Sequence, residues 1–131
     1  MKIIITLLLI TNVIFTACKK DNGSNKNWKV KYEVVCSNPN TKGVFIFRDE
    51  TASVITAGST TVPVTIPWSY SANYSKDPGL STARFLQLVV IYADPYSGSD
   101  VITAKIYVDG NVVTQSSTPG AIGIMITYTL Q

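Results

Sequence analysis

The chain has 131 residues, a net charge of +3, and 46% hydrophobic against 15% charged residues. This length predicts one domain, and so apolar a composition excludes an intrinsically disordered protein. The sequence contains no histidine, which excludes Ser-His-Asp and Cys-His catalysis and removes the commonest metal ligand. Its Lys and Arg residues form no dense stripe, which argues against a nucleic-acid partner.

The first segment has the pattern of a cleaved signal peptide. After a positive start, an uncharged run over residues 3–17 is shorter than the roughly 20 apolar residues of a transmembrane helix. The run ends in Phe15-Thr16-Ala17-Cys18, which resembles the lipobox of bacterial lipoproteins, although leucine is commoner than Phe15 at its position. The resemblance implies a signal peptide over residues 1–17 and a lipid-anchored Cys18. The alternatives are an uncleaved anchor and an ordinary signal peptide before a chance cysteine.

The next segment predicts a tether. Residues 19–27 read KKDNGSNKN and contain no apolar side chain, so they cannot bury enough surface to become ordered. Together with the lipidated Cys18 they predict a disordered tether over residues 18–27, whose nine residues after the cysteine reach at most about 30 Å. A cysteine followed by KKDNG resembles the start of many lipoproteins of the Bacteroidota. We therefore expect a protein anchored in the cell envelope through the lipid on Cys18, at the outer membrane, on its periplasmic or its surface face.

From residue 28 onward, apolar and polar residues alternate with a period of two, which predicts strands separated by turns. The predicted strands cover residues 28–36, 44–47, 51–56, 61–74, 85–93, 102–108, 111–113 and 122–130. This pattern predicts one all-β domain over residues 28–131, an immunoglobulin-like antiparallel β-sandwich of seven or eight strands.

Turn residues refine this prediction. Pro63 and Pro67 make the segment 61–74 an edge strand or a bulged one, because proline has no backbone N–H to donate to a neighbouring strand. The nearly continuous apolar run over residues 85–93 predicts a central strand. Asp109-Gly110 predicts a tight hairpin turn, and Thr118-Pro119-Gly120 predicts another turn. Cys36 lies on the apolar face of the first strand, which favours a buried, inert thiol over intermolecular pairing or redox sensing.

Several motifs follow one another along this domain: Tyr32-Glu33-Val34, Pro67-Trp68-Ser69, Val108-Asp109-Gly110-Asn111-Val112, and a closing strand with Pro119-Gly120 and Gly123. Their order resembles the MmpS family of small membrane-anchored β-sandwich proteins, over most of residues 28–131. Members of that family are accessory proteins of exporters that move lipids across the envelope. The resemblance implies a non-enzymatic extracytoplasmic module whose partner is an envelope or exporter protein. The chain differs from the family in its lipid anchor and in lacking the cysteine that members often carry near residues 105–108.

Candidate contact residues lie on the proline-bearing segment. Trp68, Tyr70 and Tyr74 are all even-numbered, so they lie on the same face of the predicted strand. They form either a platform for a ligand or partner or part of the sandwich core. Most of the eight acidic residues fall in predicted turns, so we predict no catalytic residues and no enzyme. Asp94 and Asp100 bracket a loop that could hold Ca²⁺, but solvated turn residues are the favoured interpretation, and no metal or cofactor is predicted.

Two functions fit this sequence. The first is an accessory or interaction module that docks on an envelope protein through the edge strand. The second is a surface module that binds a glycan or a lipid. An open concavity lined by Trp68, Tyr70 and Tyr74 would favour ligand binding, whereas burial of these rings beside a flat unpaired edge would favour docking.

Overall fold

The computed structural model describes residues 27–75, 85–94, 97–119 and 123–131, and its regular elements are all β-strands. The strands are β1 (Asn27–Cys36), β2 (Lys42–Arg48), β3 (Val54–Ala57), β4 (Val64–Thr65), β5 (Trp68–Ser75), β6 (Phe85–Asp94), β7 (Val101–Val108), β8 (Asn111–Pro119) and β9 (Ile124–Thr129). These ranges contain no helix long and apolar enough to cross a membrane.

The strands form two sheets. A four-stranded sheet has the order β5-β1-β7-β8, and a five-stranded sheet has the order β3-β2-β6-β9 with β4 paired to β2. Every pairing is antiparallel, and the buried side chains of both sheets form one hydrophobic core between them. The predicted all-β antiparallel sandwich is therefore confirmed, with nine strands in the described residues instead of seven or eight.

The alternation on β1 builds the middle of the four-stranded sheet. Trp28, Val30, Tyr32 and Val34 are at most 3% exposed and face the core. The intervening residues point to the outer side, because successive side chains of a strand project to opposite faces. β1 pairs with β5 on one side and with β7 on the other, so its register places residues that are distant in sequence side by side.

The segment predicted as one strand over residues 61–74 is divided in the structure. β4 belongs to the five-stranded sheet and β5 to the four-stranded sheet, with a cis Ile66–Pro67 peptide bond between them. Pro63 and Pro67 flank β4, where a continuous strand would need backbone donors that proline lacks. The prediction of one long strand was wrong, but the prediction of an edge strand is confirmed for β5.

The other turn and strand predictions had mixed outcomes. β6 lies between β2 and β9, as predicted for a central strand. Asp109 and Gly110 have φ values of 52° and 85°, the left-handed pair that a tight hairpin turn between β7 and β8 requires. The turn predicted at Thr118-Pro119-Gly120 does not begin at Thr118, because β8 continues to Pro119, which pairs with Val101, and Gly120 lies outside the described residues. Proline is tolerated there because β8 is an edge strand.

Several predictions fall outside the described residues. These are the signal peptide over residues 1–17, the lipidated Cys18, the tether up to residue 26, and most of the loop predicted around residues 75–81.

Candidate functional site

The three aromatic residues singled out on β5 all point toward the five-stranded sheet. Trp68 and Tyr70 are half-buried, whereas Tyr74 is 1% exposed and belongs to the core. Tyr74 thus has no side-chain surface for a ligand or partner to contact, which corrects its place among the candidate contact residues. Only Trp68 and Tyr70 keep some exposed surface.

Trp68 and Tyr70 pack on the phenylalanines of β2. The Trp68 ring lies 4.9 Å from the Phe45 ring and 5.3 Å from the Phe47 ring, measured between centroids. The Tyr70 and Phe47 centroids are 4.5 Å apart. Such tilted contacts are favourable beyond the area they bury. The rings therefore join the edge of one sheet to the other sheet and do not stand free as a platform.

The tyrosine hydroxyls of this cluster are hydrogen-bond donors. Tyr74 Oη donates to the carbonyl oxygen of Arg48 at 2.6 Å, and Tyr32 Oη donates to the same oxygen at 2.8 Å. Burial raises the pKa of Tyr32 to about 12 and raises the pKa of Tyr74 still further. Both phenols therefore stay neutral at physiological pH and fix the end of β2 from the opposite sheet.

Tyr70 Oη makes a different contact at the surface. It donates to Glu50 Oε2 at 2.5 Å, and this hydrogen bond to a carboxylate, followed by burial, raises the pKa of Tyr70 to about 12. Because Glu50 is exposed, the contact lies at the solvent boundary of the aromatic cluster.

The hydrogen bonds of Lys29 show which backbone groups of β5 are free. The Lys29 N–H donates to Asp109 Oδ1 at 2.9 Å, and the Lys29 carbonyl accepts from the Asp109 N–H at 2.8 Å. The odd-numbered residues of β1 therefore point their backbone groups toward β7. The even-numbered residues point theirs toward β5, since backbone groups alternate along a strand.

The register of β1 with β5 determines which residues of β5 point their backbone groups away from β1. The even-numbered residues of β1 face the even-numbered residues of β5, from Val34 opposite Trp68 to Trp28 opposite Tyr74. Ser69, Ser71 and Asn73 consequently direct their N–H and C=O groups away from β1. Within the described part of the chain, no strand pairs with this side of β5, which we call the free edge.

The free edge lacks the features that usually protect an edge strand. β5 is eight residues long, its register with β1 is unbroken, and its sequence WSYSANYS has no charge and no proline. By contrast, β8 at the opposite edge of the sheet has an irregular register and ends in a proline, and β3 is only four residues long. Among the residues that the structure describes, nothing pairs with the free edge of β5, which is thus open to another strand.

The outer side of the four-stranded sheet carries a polar network that the sequence did not reveal. Glu33 accepts hydrogen bonds from Lys31 Nζ at 2.6 Å and from Tyr107 Oη at 2.7 Å, and Lys105 Nζ lies 3.8 Å away. The hydrogen bond from Lys31, followed by that from Tyr107, lowers the pKa of Glu33 below its ordinary value. Glu33 is therefore ionised at neutral pH and holds these side chains in place.

The remaining candidates have structural partners. Asp100 Oδ2 accepts hydrogen bonds from the Ser97 N–H at 2.9 Å and from Asn38 Nδ2 at 3.3 Å.

Cys36 is half-buried, so it is more exposed than the sequence predicted, and its Sγ lies 3.6 Å from Thr41 Oγ1. No group of three or more Cys, Asp or Glu side chains that could hold a metal ion occurs in the ranges that the structure describes.

No protein-family model matches the chain, and no curated protein matches it. The lipobox and the MmpS-like order of motifs therefore stay predictions from the sequence.

We expect Tyr74→Phe to lower the free energy of unfolding by about 1 kcal/mol, because a buried hydrogen bond to the Arg48 carbonyl is lost. Tyr70→Phe is the matched control and should cost less, because the hydroxyl it removes contacts an exposed carboxylate. Urea unfolding of both variants measures the difference. An equal cost for the two variants would contradict the assignment of Tyr74 to the core.

Proposed function

We propose that this protein is a lipid-anchored, non-enzymatic interaction module of the cell envelope that docks on an envelope protein by accepting an extended strand along β5. The free edge of β5 is the observation that carries this proposal. An added strand forms main-chain hydrogen bonds with the edge, and neighbouring side chains then select its sequence.

The side chains around the free edge suit such a partner. Ser69, Ser71 and Asn73 are exposed and small enough to let a second strand approach. On the inner side, Trp68 and Tyr70 keep part of their surface exposed and can contact alternate side chains of that strand. The inward direction of these rings supports docking over the alternative of an aromatic platform for a glycan or lipid.

The anchor fits the same role. The Phe15-Thr16-Ala17-Cys18 motif supports lipidation at Cys18, and two or three acyl chains hold a protein firmly at a membrane. A tether of at most about 30 Å keeps the domain near the membrane surface, which raises its effective concentration toward a membrane-bound partner. An accessory role for an envelope or exporter protein, as in the MmpS family, fits this arrangement.

A surface module that binds a lipid or glycan is the second candidate. It is supported by a concavity on the outer side of the four-stranded sheet, away from the three aromatic residues of β5.

We expect the mature protein to carry fatty acyl groups that Cys18→Ser removes, because only a thiol forms the thioether. Mass spectrometry of the N-terminal peptide and fractionation of the envelope measure both effects. Cys36→Ser is the control and should stay lipidated and membrane-bound. An unmodified, uncleaved N-terminus in the wild-type protein would contradict the anchor.

We expect Ser71→Pro to reduce capture of the docking partner at least about tenfold, since proline removes one free-edge N–H and obstructs a neighbouring strand. The variant should still fold, because the Ser71 N–H points away from β1 and contributes no ladder bond there. Ser71→Ala keeps the N–H and is the matched control.

The measurement is site-specific photocrosslinking from Asn73 in the native envelope, with Thr127 on the exposed side of β9 as the reference position. Docking predicts a crosslink to an extended segment of one envelope protein from Asn73, absent from Thr127 and lost in Ser71→Pro. Equal crosslinking from both positions, or no loss in Ser71→Pro, would overturn the proposal.

A further inference from the structure

A concavity of about 390 Å³ lies on the outer side of the four-stranded sheet. Its lining residues come from three neighbouring strands and one turn: Lys29, Lys31, Ser71, Tyr107 and Gly110. The register places Lys31 directly between Ser71 on β5 and Tyr107 on β7, so these three side chains form one row across the sheet. The strand pairing therefore fixes the backbone positions from which these side chains line the concavity.

The position of Lys31 within this row is restrained. Its ammonium group donates to Glu33 at 2.6 Å and lies 5.1 Å from the centre of the Tyr107 ring. Tyr107 is itself held by its hydrogen bond to Glu33. A cation that is already oriented loses less conformational entropy when it binds a ligand than a freely rotating lysine does.

Lys29 supplies a second cation whose charge is available. It occupies the next outward position on β1, and its ammonium group contacts no carboxylate among the residues that the structure describes. Asp109 is close in space, but its Oδ1 accepts from the Lys29 backbone N–H. Three lysines (Lys29, Lys31 and Lys105) thus face two carboxylates (Glu33 and Asp109) on this surface, which leaves one net positive charge.

The rest of the lining adds one neutral donor and leaves one end of the concavity open. The Ser71 hydroxyl adds a neutral donor, and the carboxylate of Glu33 is occupied by Lys31 and Tyr107. Gly110 has no side chain, and a Cβ built there meets no atom within 4 Å, so the turn leaves that end of the concavity open. Ammonium and hydroxyl donors around an accessible space are the groups that bind phosphate oxygens.

We propose that this concavity is a binding site for a phosphate group, carried by a lipid headgroup or by a soluble phosphate compound. Lys29 and Lys31 contact the phosphate oxygens, and Ser71 donates a third hydrogen bond. The site lies near Asn27, where the chain enters the domain, so the proposed anchor at Cys18 would bring it close to lipid headgroups. Only this choice of source depends on the proposed anchor.

The test uses the full chain in a glycoside detergent that carries no phosphate, observed through backbone amide NMR signals. In the first arm, inorganic phosphate is titrated at low ionic strength. We expect saturable shifts at Lys29, Lys31, Ser71 and Gly110. In the second arm, nanodiscs that contain phosphatidylglycerol replace the detergent, and no inorganic phosphate is added. Shifts at the same amides in both arms identify a lipid headgroup as a ligand, whereas shifts in the first arm alone identify a soluble phosphate compound.

Lys29→Gln should weaken phosphate binding about tenfold, the loss expected for one charge-assisted contact. This variant keeps the Glu33 network, so it should fold. Lys31→Gln is the second variant and should weaken binding at least as much. Lys42→Gln, an exposed lysine on β2, is the matched control and should leave binding unchanged.

No saturable shift in the first arm, or equal affinity in Lys29→Gln and Lys42→Gln, overturns the site. These outcomes are separate from failure of strand docking, because neither lysine variant alters the free edge of β5.

Discussion

The register of β1 within the four-stranded sheet is the constraint on which the other features depend. Its alternation sends one row of side chains into the core and the other to the outer surface, and a slip of one residue would exchange the two. The paired hydrogen bonds between Lys29 and Asp109 fix the direction of the backbone groups of β1. That direction determines which groups of β5 are used in the sheet and which remain free. The same register places Lys31 beside Ser71 and Tyr107.

The two sheets present different outer surfaces. The four-stranded sheet is polar on its outer side, with the network around Glu33 at its centre. The five-stranded sheet exposes apolar side chains instead, among them Phe85, Ile91 and Met125. This explains why β6 reads as a nearly continuous apolar run although only one of its faces contributes to the core. An antiparallel sheet commonly has one solvated polar face, and only the four-stranded sheet follows that rule.

The sequence predicted those parts of the structure that depend on local patterns. The alternation of apolar and polar residues predicted β1 and β9, and an Asp-Gly pair predicted the hairpin between β7 and β8. Two prolines indicated an edge strand. The features that depend on pairing between distant residues could not be predicted. The row of Ser71, Lys31 and Tyr107 joins three strands, and no local pattern indicates their register. Likewise, the spacing of Trp68, Tyr70 and Tyr74 predicted that they lie on one face of the strand. It did not indicate that Tyr74 lies deeper in the sandwich than the other two rings.

The most direct test of the central claim is hydrogen exchange of the β5 amides in the full chain without a partner. If the free edge is open, the amides of Ser71 and Asn73 exchange near the rate of an unstructured chain, while those of Tyr70, Ala72 and Tyr74 are protected by their bonds to β1. We expect this odd-even alternation if β5 has a free edge. Uniform protection along β5 would mean that another segment covers the edge, and it would contradict docking by strand addition at this site.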